Sequence, residues 1–211
     1  TSAHGFYTGI SVLNCIYYSF DSEWSLQTVG KSELILNVRF KDIPVNQIWM
    51  FKLSNSYCIS WDVRIEFEEG LEVENAQAGI FLSDKYTSWI NAYEEAPFLP
   101  IRGWQDMCLD NLESRVIGGR GFRDKNGFMP TVLINFSENK LPGRPFIKNT
   151  SKELDSRLAG VSLEGGYKKE GGYNFFNCKV ELIDSEEKTD LFIEDIRNRI
   201  LKDRKLGFIF K

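Results

Sequence analysis

The sequence predicts an all-β chain, built as a two-sheet antiparallel β-sandwich with long loops and at most short helices. Three observations carry this. Apolar and polar residues alternate with period two in many segments, turn-forming Gly, Pro and polar clusters separate those segments, and no regular alternation of strand and helix patterns is present. The chain is read as one sandwich domain over residues 1–211.

The clearest strand runs from Tyr57 to Phe67, where Ile59, Trp61, Val63, Ile65 and Phe67 alternate with Ser60, Asp62, Arg64 and Glu66. One face of it is dry and the other wet. Leu34, Leu36, Val38 and Phe40 repeat the pattern upstream, and Phe176, Cys178, Val180 and Leu182 repeat it downstream. The expected buried set is Leu34, Leu36, Val38, Ile59, Trp61, Val63, Ile65, Cys178 and Val180. Shorter strand candidates are Ile48 to Leu53, Ala78 to Leu82, Ser88 to Tyr93, Thr131 to Phe136, Leu158 to Leu163 and Leu206 to Phe210.

Two stretches break the pattern. Glu94 to Lys125 holds Pro97, Pro100, Gly103, Gly118, Gly119 and Gly121 and reads as long loops, with one short helical turn around Asp106 to Glu113. Ser137 to Leu154 is the second, with Pro142, Gly143 and Pro145. Loops on a rigid scaffold are where binding residues concentrate, so both are searched first for function. Thr189 to Lys205 stays open between two readings. Phe192, Ile196 and Ile200 have helical spacing behind Thr189 as N-cap, yet Leu191 and Ile193 alternate with charged neighbours. The first residues, including the lone His4, are expected to fray.

Composition narrows the function classes. A net charge of -4 argues against nucleic acid, whose phosphates call for a basic face. No run approaches the ~18 apolar residues of a membrane span. The start at Thr1 fits a trimmed chain or a mature chain that has lost its signal peptide, and the expectation leans to a secreted or extracytoplasmic location. Two glycosylation triplets, Asn135-Phe136-Ser137 and Asn149-Thr150-Ser151, do not decide the compartment. Cys15, Cys58, Cys108 and Cys178 are too far apart for a zinc or redox motif, and no disulfide framework is expected.

Taken in order, the strands resemble the concanavalin A-like lectin and glucanase sandwich, a jelly roll in the broad sense that includes laminin-G-type and 3-keto-disaccharide hydrolase-type domains. The resemblance rests on Trp24-Ser25-Leu26 before the strand Glu33 to Phe40, then Tyr57 to Ile65, Ala76 to Leu82 and Trp89 to Tyr93. Near the end it rests on Tyr173-Asn174, Leu191 to Asp195 and Lys205 to Phe208. It implies carbohydrate binding as function. Laminarinase-type members carry a Glu-x-Asp-x-x-Glu strand, and here Glu66-Phe67-Glu68-Glu69 departs from it. Glu66 and Glu68 share a strand face and read more simply as a solvated edge than as a hydrolytic pair.

The aromatic share of 14% supplies platforms for sugar rings, which stack C–H faces on aromatic planes and turn hydroxyls to polar rims. Trp89 and Tyr93 have matching parity with Asn91 between them, and Trp104 lies in the loop that follows, near Gln105 and Asp106. Arg120 and Arg123, beside the Gly118-Gly119-Arg120-Gly121 turn, add forks for an anionic group. Trp89, Asn91, Tyr93, Trp104, Arg120 and Arg123 are therefore the candidate ligand-binding residues, and the expected partner is a glycan or polysaccharide. A hydrolase or polysaccharide lyase on the same scaffold and a protein-interaction module are the alternatives. The one histidine, His4, in a segment expected to fray, is no good base for a nucleophile triad, and a multi-histidine metal site is excluded. Oxygen-ligand clusters at Asp106, Asp110 and Asn111, or at Asp124 and Asn126, read as loop polarity, and no catalytic residue, metal or cofactor is assigned.

Overall fold

A computed structural model describes residues 5–108, 114–124, 127–136 and 143–209. Numbered along the chain, the first strands are β1 (Gly5–Val12), β2 (Cys15–Tyr18), β3 (Glu23–Val29), β4 (Glu33–Arg39), β5 (Val45–Asn55), β6 (Cys58–Phe67) and β7 (Leu71–Ser83). Shorter ones follow: β8 (Ser88–Asn91), β9 (Glu95–Pro97), β10 (Gln105–Cys108), β11 (Val116–Gly119), β12 (Phe122–Asp124) and β13 (Gly127–Met129). The last are β14 (Thr131–Asn135), β15 (Arg144–Asn149), β16 (Ser156–Lys168) and β17 (Gly171–Ile183), before one helix, α1 (Glu186–Ile209).

These strands form two facing sheets, as expected. One has nine strands in the order β3-β4-β5-β6-β17-β14-β11-β8-β9, the other six in the order β10-β15-β16-β7-β1-β2, and β12 with β13 makes a separate hairpin. Neighbouring strands run antiparallel. The alternation in β6 does its work: Trp61, Val63, Ile65 and Phe67 are buried, while Arg64 and Glu66 face water. From the opposite sheet, Phe6 meets Phe51 and Trp61 edge-on, each at 4.9 Å. Polar groups lie within this core as well. Gln47 Oε1 accepts from the Thr8 hydroxyl and the Trp49 indole, each at 2.8 Å, and so ties the sheets together by a directed bond.

Of the expected buried set, Val38, Trp61, Val63, Ile65, Cys178 and Val180 are in the core. Leu34, Leu36 and Ile59 are only half-buried, because they line a groove at one end of the sandwich that the six-stranded sheet leaves uncovered. Edge strand β3 is exposed along its whole length. Among the described residues Cys15, Cys58 and Cys178 are free thiols, and burial, with the charge of Asp62 behind it, pushes the Cys178 thiol well up.

Three expectations are corrected. Gly5 to Val12 does not fray: it lies between β7 and β2, buried on both faces, while His4 is outside the described residues. The two stretches read as loops contain strands β9 to β12 and β15, and Asp106 to Cys108 is strand β10, not helix; residues 109–113 are outside the described set. The third concerns the C-terminus. Residues 189–205 are helical, and Leu206 to Ile209, expected as a strand, continues the same helix, which is longer than the short helices anticipated. Extending a formed helix adds a hydrogen bond per residue with no new nucleation cost, and five residues of alternation do not outweigh that.

The N-cap of α1 is Ser185, whose hydroxyl accepts the Lys188 N–H at 3.2 Å, and Glu186 and Glu187 complement the helix dipole. Thr189 sits inside the helix and bonds the Thr131 hydroxyl at 2.9 Å. Ile193, Ile196 and Ile200 cover Ile90, Val116, Leu133 and Ile183, which closes the outer face of the nine-stranded sheet at its β8 end. Among the described residues no helix is long and apolar enough to cross a membrane.

Candidate functional site

The outer face of the six-stranded sheet carries a concentration of aromatic and polar side chains, placed by strand register. In one row across the sheet, Phe146, Gly160, Gly79 and Tyr7 stand opposite one another. The two glycines are what let the rings at either end lie down over the sheet. A Cβ at Gly79 would stand 3.0 Å from the Tyr7 ring and 2.5 Å from the Ala159 carbonyl; one at Gly160 would stand 2.8 Å from Phe146. The row on one side contains Asp106, Lys148, Leu158 and Phe81, and the row on the other contains Ser162, Gln77, Gly9 and Tyr18.

Across this floor the Lys148 side chain passes over the Phe146 ring at 4.2 Å and donates to Gln77 Oε1 at 3.3 Å. The Tyr7 hydroxyl donates to the same oxygen at 3.0 Å. A cleft of about 310 Å³ opens above them, walled by Ile16, Tyr18, Phe20 and Trp104, with Gln105 and Asp106 at its rim. Tyr18 and Phe20 stack at 4.8 Å, and Trp104, 50% exposed, lies 5.6 Å from the Lys148 ammonium. Burial lowers the Lys148 pKa, with Asp106 partly opposing it. Burial also raises the Tyr7 hydroxyl well above its ordinary value, and the neighbouring Tyr18 adds to the effect.

The segment that precedes Trp104 is anchored by a clamp at Leu99. Buried Arg157 donates to the Leu99 carbonyl at 2.7 Å and to Asn149 Oδ1, and its guanidinium lies 4.7 Å over Phe98. Asn149 donates in turn to the Leu99 carbonyl at 3.1 Å. The loop leading into Trp104 is thus pinned to β15 and β16 by groups that are themselves buried.

Of the six candidate residues only Trp104 is in this cleft. Trp89, 5% exposed, is packed in the core and presents no ring for stacking. Asn91 is buried, and its side chain accepts the N–H groups of Tyr93 and Glu94 at 2.7 and 2.8 Å, which ends β8 and breaks the expected parity. Tyr93 therefore packs with the α1 cluster instead of sharing a face with Trp89. Arg120 is committed to Asp190 at 2.7 Å and faces Glu95 at 3.7 Å. Burial opposes its charge, but the Asp190 bond and the surrounding carboxylates outweigh that and hold its pKa up. Arg123 stands exposed on the β12–β13 hairpin, away from the cleft lining.

The carboxylates weighed for hydrolysis are elsewhere. Glu66 lies on the outer face of the nine-stranded sheet beside Asn46 and Arg39, and Glu68 accepts from Asn46 at 2.8 Å. Asp106 is the one carboxylate lining the cleft among the described residues, so no acid–base pair faces it. Among the described residues no cluster of three or more His, Cys, Asp or Glu could hold a metal; Asp110, Asn111 and Asn126 lie outside them. A larger groove of about 600 Å³ opens at the end of the sandwich between Phe6, Trp24, Leu36 and Phe51. Its polar side chains are confined to the Lys31–Glu33 turn, so it offers no convergent set of hydrogen-bonding groups.

Tyr7, Tyr18 and Gln77 were missed by sequence reasoning, whereas Lys148 lies in the second of the two stretches searched first. The signal that could have found them is glycine inside strand-like runs, Ala78-Gly79-Ile80 and Ala159-Gly160-Val161, which marks the close approach of another group. No family model matches the chain, and a search of curated proteins finds no match to it.

Proposed function

We propose that this chain is a glycan-recognition domain, with the sugar seated in the cleft on the outer face of the six-stranded sheet. The observation that carries the reading is the half-exposed Trp104 ring facing Lys148 and Gln77 across a cleft of about 310 Å³. A pyranose ring needs such a pairing, an aromatic plane for its C–H face and polar groups at its rim. The Arg157 clamp supports it, since a segment already pinned at Leu99 leaves less backbone to order on binding. The resemblance to concanavalin A-like lectins points to the same class of ligand.

Glycan-array screening followed by calorimetry tests this. Trp104→Ala should weaken the glycan selected by about tenfold, or about 1.4 kcal/mol, without lowering the melting temperature. Unchanged affinity in both Trp104→Ala and Gln77→Ala would remove the site.

A second reading, protein interaction, draws on a different place. Edge strand β3 offers an open row of backbone groups, with Trp24, Leu26 and Val29 exposed along it. Backbone NMR shifts separate the two readings. A bound sugar should move signals of β1, β7 and β15, whereas a protein partner on this edge should move those of β3 and β4.

A further inference from the structure

The cleft is asymmetric in hydrogen-bonding character, and the asymmetry bears on what kind of sugar it takes. Gln77 Oε1 already receives two donors, the Tyr7 hydroxyl and the Lys148 ammonium. A carbonyl oxygen has two lone pairs, so what Gln77 retains for a ligand is its NH₂. Lys148 carries three N–H groups and donates one to Gln77. Its other neighbours are the faces of Phe146 and Trp104, which accept only weakly. Among the described residues no carboxylate lies within ion-pair distance of it; Asp106 stands across the strand pair, exposed at the rim. Lys148 and the Gln77 amide therefore turn N–H donors to the cleft, the phenolic oxygens of Tyr7 and Tyr18 line it as neutral acceptors, and Gln105 and Asp106 are outermost.

A sugar hydroxyl placed at the deep end could accept from Lys148, but it brings no charge to an ammonium that makes no ion pair among the described residues. A carboxylate brings two oxygens and no proton. It also supplies a counter-charge at contact distance, where Asp106 acts on the half-buried ammonium only from beyond ion-pair range. We infer that the cleft takes an acidic sugar, with the ligand carboxylate on Lys148 and the Gln77 amide and the sugar ring against Trp104. The inference rests on the glycan reading and narrows it. It also moves the anion-binding role from Arg120 and Arg123, where the sequence put it, to Lys148.

The test uses the full chain against two matched pairs: oligogalacturonate with its methyl ester, and sialyllactose with lactose. At least one acid should bind tenfold or more tighter than its neutral partner. Lys148→Met should abolish that difference, while Lys148→Arg should keep most of it; melting curves establish that each variant is folded. Neutral ligands that bind as tightly as the acids, or a difference that survives Lys148→Met, would overturn the inference and leave glycan recognition standing. No binding by any of the four would overturn both.

Discussion

Trp61→Ala should lower the stability of the chain by about 3–5 kcal/mol in equilibrium urea unfolding followed by circular dichroism. Trp61 is fully buried, and its ring meets Phe176 at 4.8 Å, Phe6 at 4.9 Å, Trp49 at 5.1 Å and Phe51 at 6.1 Å. Deleting it opens a cavity in which four aromatic neighbours lose their contacts. The indole N–H has no hydrogen-bond partner among the described residues, so truncation strands no acceptor and the loss is one of packing. Trp61→Phe, which keeps a ring and removes that lone donor, should cost less than half as much. A loss below about 1 kcal/mol for the alanine variant would mean that the sheets do not close on this residue.

Arg157→Ala should cost about 2–3 kcal/mol, and its consequence should reach the cleft. The substitution leaves Asn149 Oδ1 without its charged donor and takes one of two donors from the Leu99 carbonyl. Arg157→Lys should recover only part of the loss: both bonds come from one terminal nitrogen, Nη1, but an ammonium lacks the flat guanidinium that lies over Phe98. Hydrogen exchange in residues 97–104 should accelerate in both variants, and glycan affinity should fall with it as the segment that precedes Trp104 loses its anchor. Unaltered exchange in that segment would show that the clamp does not hold the loop.

How legible an element was depends on how many of its faces are dry. Strands β4, β6 and β17 each keep a wet face, so alternation disclosed them, and β6 was read to within one residue. β1 has Ile10 in the central core on one side and Tyr7 in the small aromatic cluster on the other. Burial on both faces erases period two, and the segment reads as featureless. β11 is hidden for the same reason, and β15 by the Pro145 within it. The helix was ambiguous because apolar residues are not confined to its buried stripe. Leu191 and Leu201 face water, while Ile193, Ile196 and Ile200 carry the packing.

The site was less legible than the fold, and the cause is register. Trp104 could be nominated from its polar neighbours in the chain, but Gln77, Tyr7 and Lys148 come from three other strands. Nothing local to any of them says which will face which. Trp89 and Tyr93 failed in the opposite way: parity holds only while a strand continues, and the Asn91 side chain ends β8 between them.

The two sheets also differ in how their strands could come together during synthesis. β3 to β6 pair in sequence order, so each contact closes a short loop and this meander can zip as soon as its residues emerge. β1 has no such neighbour on its β7 side: Tyr7 and Gln77 are 70 residues apart, and β7 itself waits for β16. Closure of the six-stranded sheet, and with it assembly of the cleft, therefore comes late, as does the joining of the meander to β14 through β17. Until α1 has been made, Ile90, Val116, Leu133 and Ile183 lack their cover, so a nascent chain stalled before Glu186 presents a sticky apolar surface to its surroundings.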